Sequence, residues 1–280
     1  YSWEKGTLWM KNYMKYISIE FFCAWILAII WISPLLYAFW AAFHSVEYAI
    51  HFNILAPLTL INFIEAWDQA PFARYFLNTF FIVSSILIVQ FIVCTLAAYA
   101  FARFEFFGKQ ILFAIILIQL MVVPEILIVE NYKIMSDLNL VDTIFGVGLP
   151  YMASAFGIFL LIQTFKTIPK ELEEAARVEG CKLFGILLRV YVPLAKPTYL
   201  AYGLVSVSYH WNNFLWPLIV TNSVNTRPLT VGLAIFGAPE SGVNWSVISA
   251  ATLLSVSPLL LGFILFQKQF IQSFMYAGIK

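Results

Sequence analysis

Charged positions divide the chain into long apolar stretches. Counting the residues between charges against the roughly 20 needed to cross a hydrocarbon core predicts where helices span a membrane. Glu20 and Glu47 enclose the first stretch, about Phe21–Phe43, and Arg74 and Arg103 enclose the second. The third runs from about Gln110 past Pro124, with Glu125 and Glu130 interrupting its far end. Asp142 and Lys166 bound an unbroken fourth, Thr143–Phe165; Lys196 and Arg227 bracket the fifth; the sixth is Trp245–Gln267. One polar island, Lys166 to Lys196, interrupts this oily pattern. The pattern predicts an all-α integral membrane fold of six transmembrane helices over 21–267, with the island at 166–196 as a loop. Residues 1–20 are an N-terminal segment and 268–280 a C-terminal tail, both on the same side.

Basic residues orient this scaffold, because positively charged loops stay cytoplasmic. Thirteen of the 16 lysines and arginines fall on one side: Lys5, Lys11 and Lys15, then Arg103 and Lys109, then six in the island, then Lys268 and Lys280. Arg74, Lys133 and Arg227 fall on the other. Both termini and the island are therefore expected in the cytoplasm. The first span is expected to stay as an anchor, being long, preceded by a polar lead and without an A-x-A-like cleavage site.

Composition agrees with a membrane protein and narrows its chemistry. Hydrophobic residues make up 62% and charged residues 11% of 280 positions, more apolar surface than a soluble domain of this length buries. A net charge of +1 gives no basic footprint for nucleic acid. Cys23, Cys94 and Cys181 are an odd number without C-x-x-C spacing, so they form neither a disulfide framework nor a metal pattern. On the outer side, residues 44–74 and 227–243 are too short for domains but suit lids or docking ledges.

The island has its own order. Ile168-Pro169 predicts a helix start with proline in the first turn, with acids early in the run from Lys170 to Glu179, favourable to the helix dipole, and Gly180 as its stop. Ala175 and Ala176 remove bulk from a face that another surface could approach, while Glu174 and Arg177 can make charge-assisted contacts around it. Leu183–Val192 reads as a second apolar segment packed beneath, and Pro193 and Pro197 mark the return to the membrane. A plain solvated loop is the alternative.

Glu174-Ala175-Ala176, Gly180 and Val190-x-Val192-Pro193 resemble the EAA loop of the transmembrane permease subunits of binding-protein-dependent ABC importers. Further stretches resemble the carbohydrate-uptake branch that includes the maltose and glycerol-3-phosphate importers. These are Asn78-Thr79, the run Ala97 to Arg103, the run Leu149 to Ser154, and Trp211-Asn212-Asn213-Phe214-Leu215-Trp216-Pro217-Leu218. The resemblance covers about residues 72–280, with Glu179 where the family usually has Asp and Cys181 where a small Ala is common. It implies a type I importer permease fold working by alternating access in a bacterial or archaeal cytoplasmic membrane. It also implies a second permease subunit, two copies of a cytoplasmic ATP-binding subunit gripping Glu174, Ala175, Ala176, Arg177, Gly180 and Pro193, and an extracytoplasmic solute-binding protein. The chain has no G-x-x-x-x-G-K-[ST] loop, so ATP and magnesium are expected on the partner ATPase and no cofactor on this chain.

The substrate implied is a sugar, polyol or glycerol-3-phosphate-type solute. Trp211, Asn212 and Asn213 in the fifth span can stack on and hydrogen-bond a polyhydroxylated ligand, since polar groups inside a membrane are costly unless used or paired. Interhelical hydrogen bonding is the alternative for both asparagines. His210 reads as a packing residue, without a second ligand at metal spacing. An ATP-independent secondary transporter or channel leaves the island without a purpose. A membrane-embedded enzyme lacks a Ser/His or His/Asp/Glu constellation.

Overall fold

The computed structural model describes residues 2–51, 53, 55–237 and 243–278. Among these, every regular element is helical. In chain order the main helices are α1 (Ser2–Ala42), α2 (Ile61–Gln69), α3 (Phe72–Arg103), α4 (Lys109–Gln119), α5 (Ile128–Asp137), α6 (Ile144–Gly148) and α7 (Ala155–Thr167). Then follow α8 (Lys170–Val178), α9 (Leu183–Leu194), α10 (Lys196–Trp211), α11 (Leu215–Val220) and α12 (Trp245–Gly278).

Three stretches among the described residues are long and apolar enough to cross a membrane unbroken: Phe21–Ala42, Phe72–Arg103 and Trp245–Leu265. Two more expected spans are bent pairs. The third turns by 94° between Lys109–Gln119 and Pro124–Asp137, and the fourth by 46° between Ile144–Tyr151 and Ala155–Thr167. The break in the third follows from Pro124, which has no amide to donate and holds Val123 extended at ψ 124°. The fourth was expected to be continuous, and this is corrected: Ser154 is extended and its hydroxyl accepts from the Gly157 amide at 3.1 Å, starting a new helix.

The fifth expected span is also divided. α10 ends at Trp211 and α11 begins at Leu215, because a helix running through both would need an amide at Pro217 for the carbonyl of Asn213. That orphaned carbonyl accepts from the Thr230 hydroxyl at 2.7 Å instead. Among the described residues there are thus three helices long and apolar enough to cross a membrane, or five if each bent pair is one span, and the fifth expected span is split between α10 and α11. Hydropathy records side-chain transfer and says nothing of a missing backbone donor.

The chain forms two compact units. In the first, residues 1–69 and 236–254, every residue from Phe21 to Tyr37 is exposed. The turn after α1 is fixed by Asn62, whose amide donates to the carbonyls of Ala42 and His44 at 2.9 and 2.8 Å. Asn244 caps α12, accepting from the amides of Ser246 and Val247 at 3.1 and 3.2 Å.

The second unit, residues 70–235 and 255–280, is organised around α3, which contains neither glycine nor proline and so stays continuous over 32 residues. On its N-terminal half, Ile82 and Ile86 of α3 pack with Met135, Val147, Trp216 and Val220. On the other half, Cys94, Ala98 and Tyr99 pack with Leu161 and Phe165 of α7 and with Ala176, Ile186 and Tyr191 of the island. The island is thus seated on the membrane-spanning core.

Candidate functional site

The island folds as two short helices joined by a tight turn. α8 begins after Pro169, which stands just outside the helix with ψ 140°, and places Glu171 and Glu173 in the first turn. It ends in a left-handed closure: Gly180 has φ +82°, its amide donates to Arg177 O at 2.9 Å, and the Cys181 amide donates to Ala176 O at 2.9 Å. A side chain at 180 meets no steric neighbour, so it is the backbone conformation that requires glycine there. α9 carries a π-turn over Leu187–Tyr191, immediately before Pro193. Such a turn shifts the register of a helix and here directs Ile186, Leu187 and Tyr191 into the core.

Two neighbouring glutamates have opposite fates. Glu174 is exposed, whereas Glu173 is 8% exposed and holds the site together. Its carboxylate accepts from Arg177 Nη2 at 2.6 Å and from the Tyr191 hydroxyl at 2.7 Å, and it lies 3.7 Å from Arg103 Nε. Arg103 comes from the last turn of α3. Its Nη2 donates to Phe165 O at 3.1 Å, which also accepts from the Ile168 amide, and to Ile168 O just past the end of α7. Its guanidinium stacks over the Tyr191 ring, 4.9 Å from the centroid. Tyr191 is itself fully buried, with its ring edge-on to Tyr99 and Phe165 at 5.0 and 5.2 Å.

Arg103 thus joins four elements through one planar group: the end of α3, the end of α7, α8 through Glu173, and α9 through Tyr191. Burial pushes the Glu173 carboxyl up. The hydrogen bonds from Tyr191 and Arg177, with the charges of Arg177 and Arg103, outweigh that push and hold its pKa below the ordinary 4.5. Burial pushes the Tyr191 phenol up, and its bond to Glu173 pushes it further the same way, so it stays a donor.

The sequence-predicted residues of the island divide between two faces. Ala175 and Ala176 were expected on one open face, and this is corrected: at 100° per residue Ala176 turns inward against the core while Ala175 stays outside. Arg177, expected to make charge-assisted contacts around that face, is paired with Glu173 while its side chain stays 54% exposed. Glu174, Ala175 and the 89%-exposed Val178 form the open side, with Gly180 at its end and Pro193 exposed on α9.

The fifth-span residues are less closely grouped. Trp211 is buried, with its indole donating to Ser255 O at 3.1 Å. Asn212 is exposed, and its amide donates to Ser208 O at 2.8 Å. Asn213 is half-buried and lines a small cavity of about 10 Å³ with Thr79, Tyr151 and His210. Beside it lies a polar node that sequence reading missed. Gln90, midway along α3, donates to Tyr151 O at 2.7 Å, at the break before α7, and its carbonyl accepts from Tyr202 and Ser206 of α10 at 2.8 and 2.6 Å. His210 Nε2 is 3.3 Å from the same amide. An amide in the middle of a long uncharged stretch was the available signal for it.

On the opposite side, Asp142 pins the loop that follows α11. Its Oδ1 accepts from the amides of Asn222 and Ser223 at 2.9 and 3.0 Å, and from the hydroxyls of Ser223 and Thr226. Burial pushes this carboxyl up, but those bonds bring it down to about 2. Asn78 ties the same loop to α3, donating to Asn225 O and Arg227 O at 2.8 and 2.9 Å.

Residues 93–275 match the family described as binding-protein-dependent transport system inner membrane component. An arabinooligosaccharides transport system permease protein of Halalkalibacterium halodurans is 34% identical, the match covering 80% of this chain and 80% of the relative. An sn-glycerol-3-phosphate transport system permease protein of Yersinia pestis is 30% identical over 91% of this chain and 95% of its own length. A chain of a bacterial ABC transporter involved in the import of the acidic polysaccharide alginate shares the fold, with a TM-score of 0.76 and 23% identity. That likeness covers 87% of this chain and 92% of the other.

Proposed function

This chain belongs to the binding-protein-dependent transport system inner membrane components, and from that premise we propose that it is one permease subunit of an ATP-driven importer for a saccharide or sugar-derived solute. The substrate class is inferred from relatives named for arabinooligosaccharide and glycerol-3-phosphate transport. The chain pairs with a second permease subunit, receives solute from an extracytoplasmic binding protein, and alternates access between the two sides of the membrane. ATP and magnesium are held by two copies of a separate ATPase that docks on α8. The island and both termini are cytoplasmic, as the distribution of basic residues requires.

The two-faced α8 is the observation that carries this reading. Its inner face is locked to a membrane-spanning helix through Glu173 and Arg103, and its outer face presents Glu174, Ala175 and Val178 to a partner. A short helix held this way passes a push at its outer face to α3 and α7 as rigid-body motion, because a packed core does not absorb displacement continuously. Trp211, Asn212 and Asn213 are placed near the solute pathway, with Asn213 and the Gln90 node supplying the polar groups.

Reconstituting the purified complex with its binding protein tests the reading. Uptake that requires ATP and a co-purifying ATPase supports it. Uptake driven by an ion gradient without ATP would assign the chain to the secondary transporters.

A further inference from the structure

A cavity of about 540 Å³ opens where α3 ends, bounded by the turn to α4 and by the last turns of α7. It has the size of a small-ligand cleft. Its floor is apolar, built from Phe101, Phe106, Phe113 and Ile162, and its rim carries Lys109 and Lys166. The Lys166 ammonium stands 6.0 Å from the Phe113 ring centroid. The Lys109 ammonium donates to Phe104 O and to Glu105, both at 2.9 Å, which leaves one of its three donors unused. Glu105 is the single carboxylate among the described lining residues, and its side chain is 90% exposed, so it can swing aside. Its pKa is lowered first by the hydrogen bond and charge of Lys109 and then by Lys170 and Lys166, so three lysines bear on this rim.

The surroundings of the cavity are as informative as its lining. The turn that shapes it holds Gly108 at φ +78° and leaves Phe107 fully exposed. From there α4 runs away with no buried residue, presenting Ile111, Leu112 and Ile115 as a continuous apolar strip. A soluble anion has no use for that strip. A phosphate attached to acyl chains does: the charge meets the lysines and the chains lie along α4.

We propose that this cavity binds the headgroup of an anionic phospholipid of the cytoplasmic leaflet, with Lys109 and Lys166 donating to its phosphate and the exposed face of α4 holding its acyl chains. The leaflet rests on the orientation proposed above; the headgroup chemistry does not. The site adjoins Arg103, so a bound lipid braces the same corner of the fold that seats α8.

The test is the thermal unfolding of the full purified complex in neutral detergent, titrated separately with phosphatidylglycerol, phosphatidylcholine and inorganic phosphate. Phosphatidylglycerol is expected to raise the melting temperature saturably, and the other two are not. Each lysine near an anionic headgroup is worth roughly a factor of five in affinity, so Lys109→Gln with Lys166→Gln should weaken half-saturation by about tenfold or more. The pair Lys109→Arg with Lys166→Arg should retain the shift. If the glutamine pair fails to assemble, Lys166→Gln against Lys166→Arg gives the same comparison with about half the effect on a logarithmic scale. An unchanged titration in the glutamine variants, or an equal shift with phosphatidylcholine or with inorganic phosphate, overturns the proposal. Labelling of Cys181 from outside in sealed vesicles overturns the leaflet and the orientation together, and it leaves the lipid titration to judge the site.

Discussion

Arg103 at the end of α3 and Glu173 in α8 stand 3.7 Å apart, with side chains only 6% and 11% exposed. This pair converts the island from a loop into a seat, because the same guanidinium also closes the end of α7. Removing Arg103 leaves Glu173 its bonds from Arg177 and Tyr191 but takes away a second cation and the donor to the Phe165 and Ile168 carbonyls, a loss of about 1–3 kcal/mol. Arg103→Gln is therefore expected to loosen residues 166–196 in hydrogen exchange while the long spans stay protected. Protection in the island equal to that of the unmodified protein would remove Arg103 from this role.

The adjacent glutamates separate seating from docking. Glu173→Gln should reduce the order of the island, since it removes the charge that meets Arg103 and Arg177. Glu174→Gln should leave that order intact and weaken only the association with the ATPase. Measuring hydrogen exchange and complex yield on both variants distinguishes them, and identical behaviour would contradict the two-faced helix.

Acid should reach this corner late. The pKa of Glu173 is depressed, so its contribution is full above the ordinary 4.5 and disappears as pH falls through the lower folded value. Asp142 follows the same sign, holding its loop until pH falls from its ordinary 3.8 toward about 2. Hydrogen exchange of both segments, measured at matched intrinsic rates, should be unchanged between about pH 7 and about pH 5. Loosening of either segment within that interval would count against these networks.

Much of this arrangement was written in the chain, and what was not has identifiable causes. The island, its helix and its stop at Gly180 follow from local signals: a proline before the start, acids in the first turn, glycine after the end. The inward role of Glu173 does not, because helical rotation decides which of the adjacent glutamates faces inward and only the position of α7 and α9 sets that rotation. Arg103 was counted for its charge in orienting the chain, but its partners lie on elements far along the sequence. The split at Asn213 was misread for another reason: Pro217 removes a donor from an apolar stretch without changing its hydropathy. Gln90 passed unnoticed as one amide in a long span, though burying it requires the several partners it has.

Gln90 gives a separate expectation in the membrane interior. Gln90→Leu strands the hydroxyls of Tyr202 and Ser206 and the carbonyl of Tyr151, each lost partner being worth about 0.6 to 2 kcal/mol in a membrane. Complex yield and thermal stability should fall well below those of Asn212→Leu, whose amide bonds only within its own helix. Asn213→Leu should preserve yield and reduce uptake if this side chain meets solute. Normal uptake with normal yield in both asparagine variants would remove them from the pathway.

The most direct measurement is the ratio of solute imported to ATP hydrolysed in proteoliposomes containing the whole complex and its binding protein. Glu174→Lys with Gly180→Pro reverses a charge on the outer face of α8 and breaks the closure that ends it, leaving the spans untouched. The expected result is insertion at normal yield and persistent ATP hydrolysis with uptake lost. A double variant that imports solute at the unmodified ratio would contradict α8 as the point where ATP hydrolysis is coupled to transport.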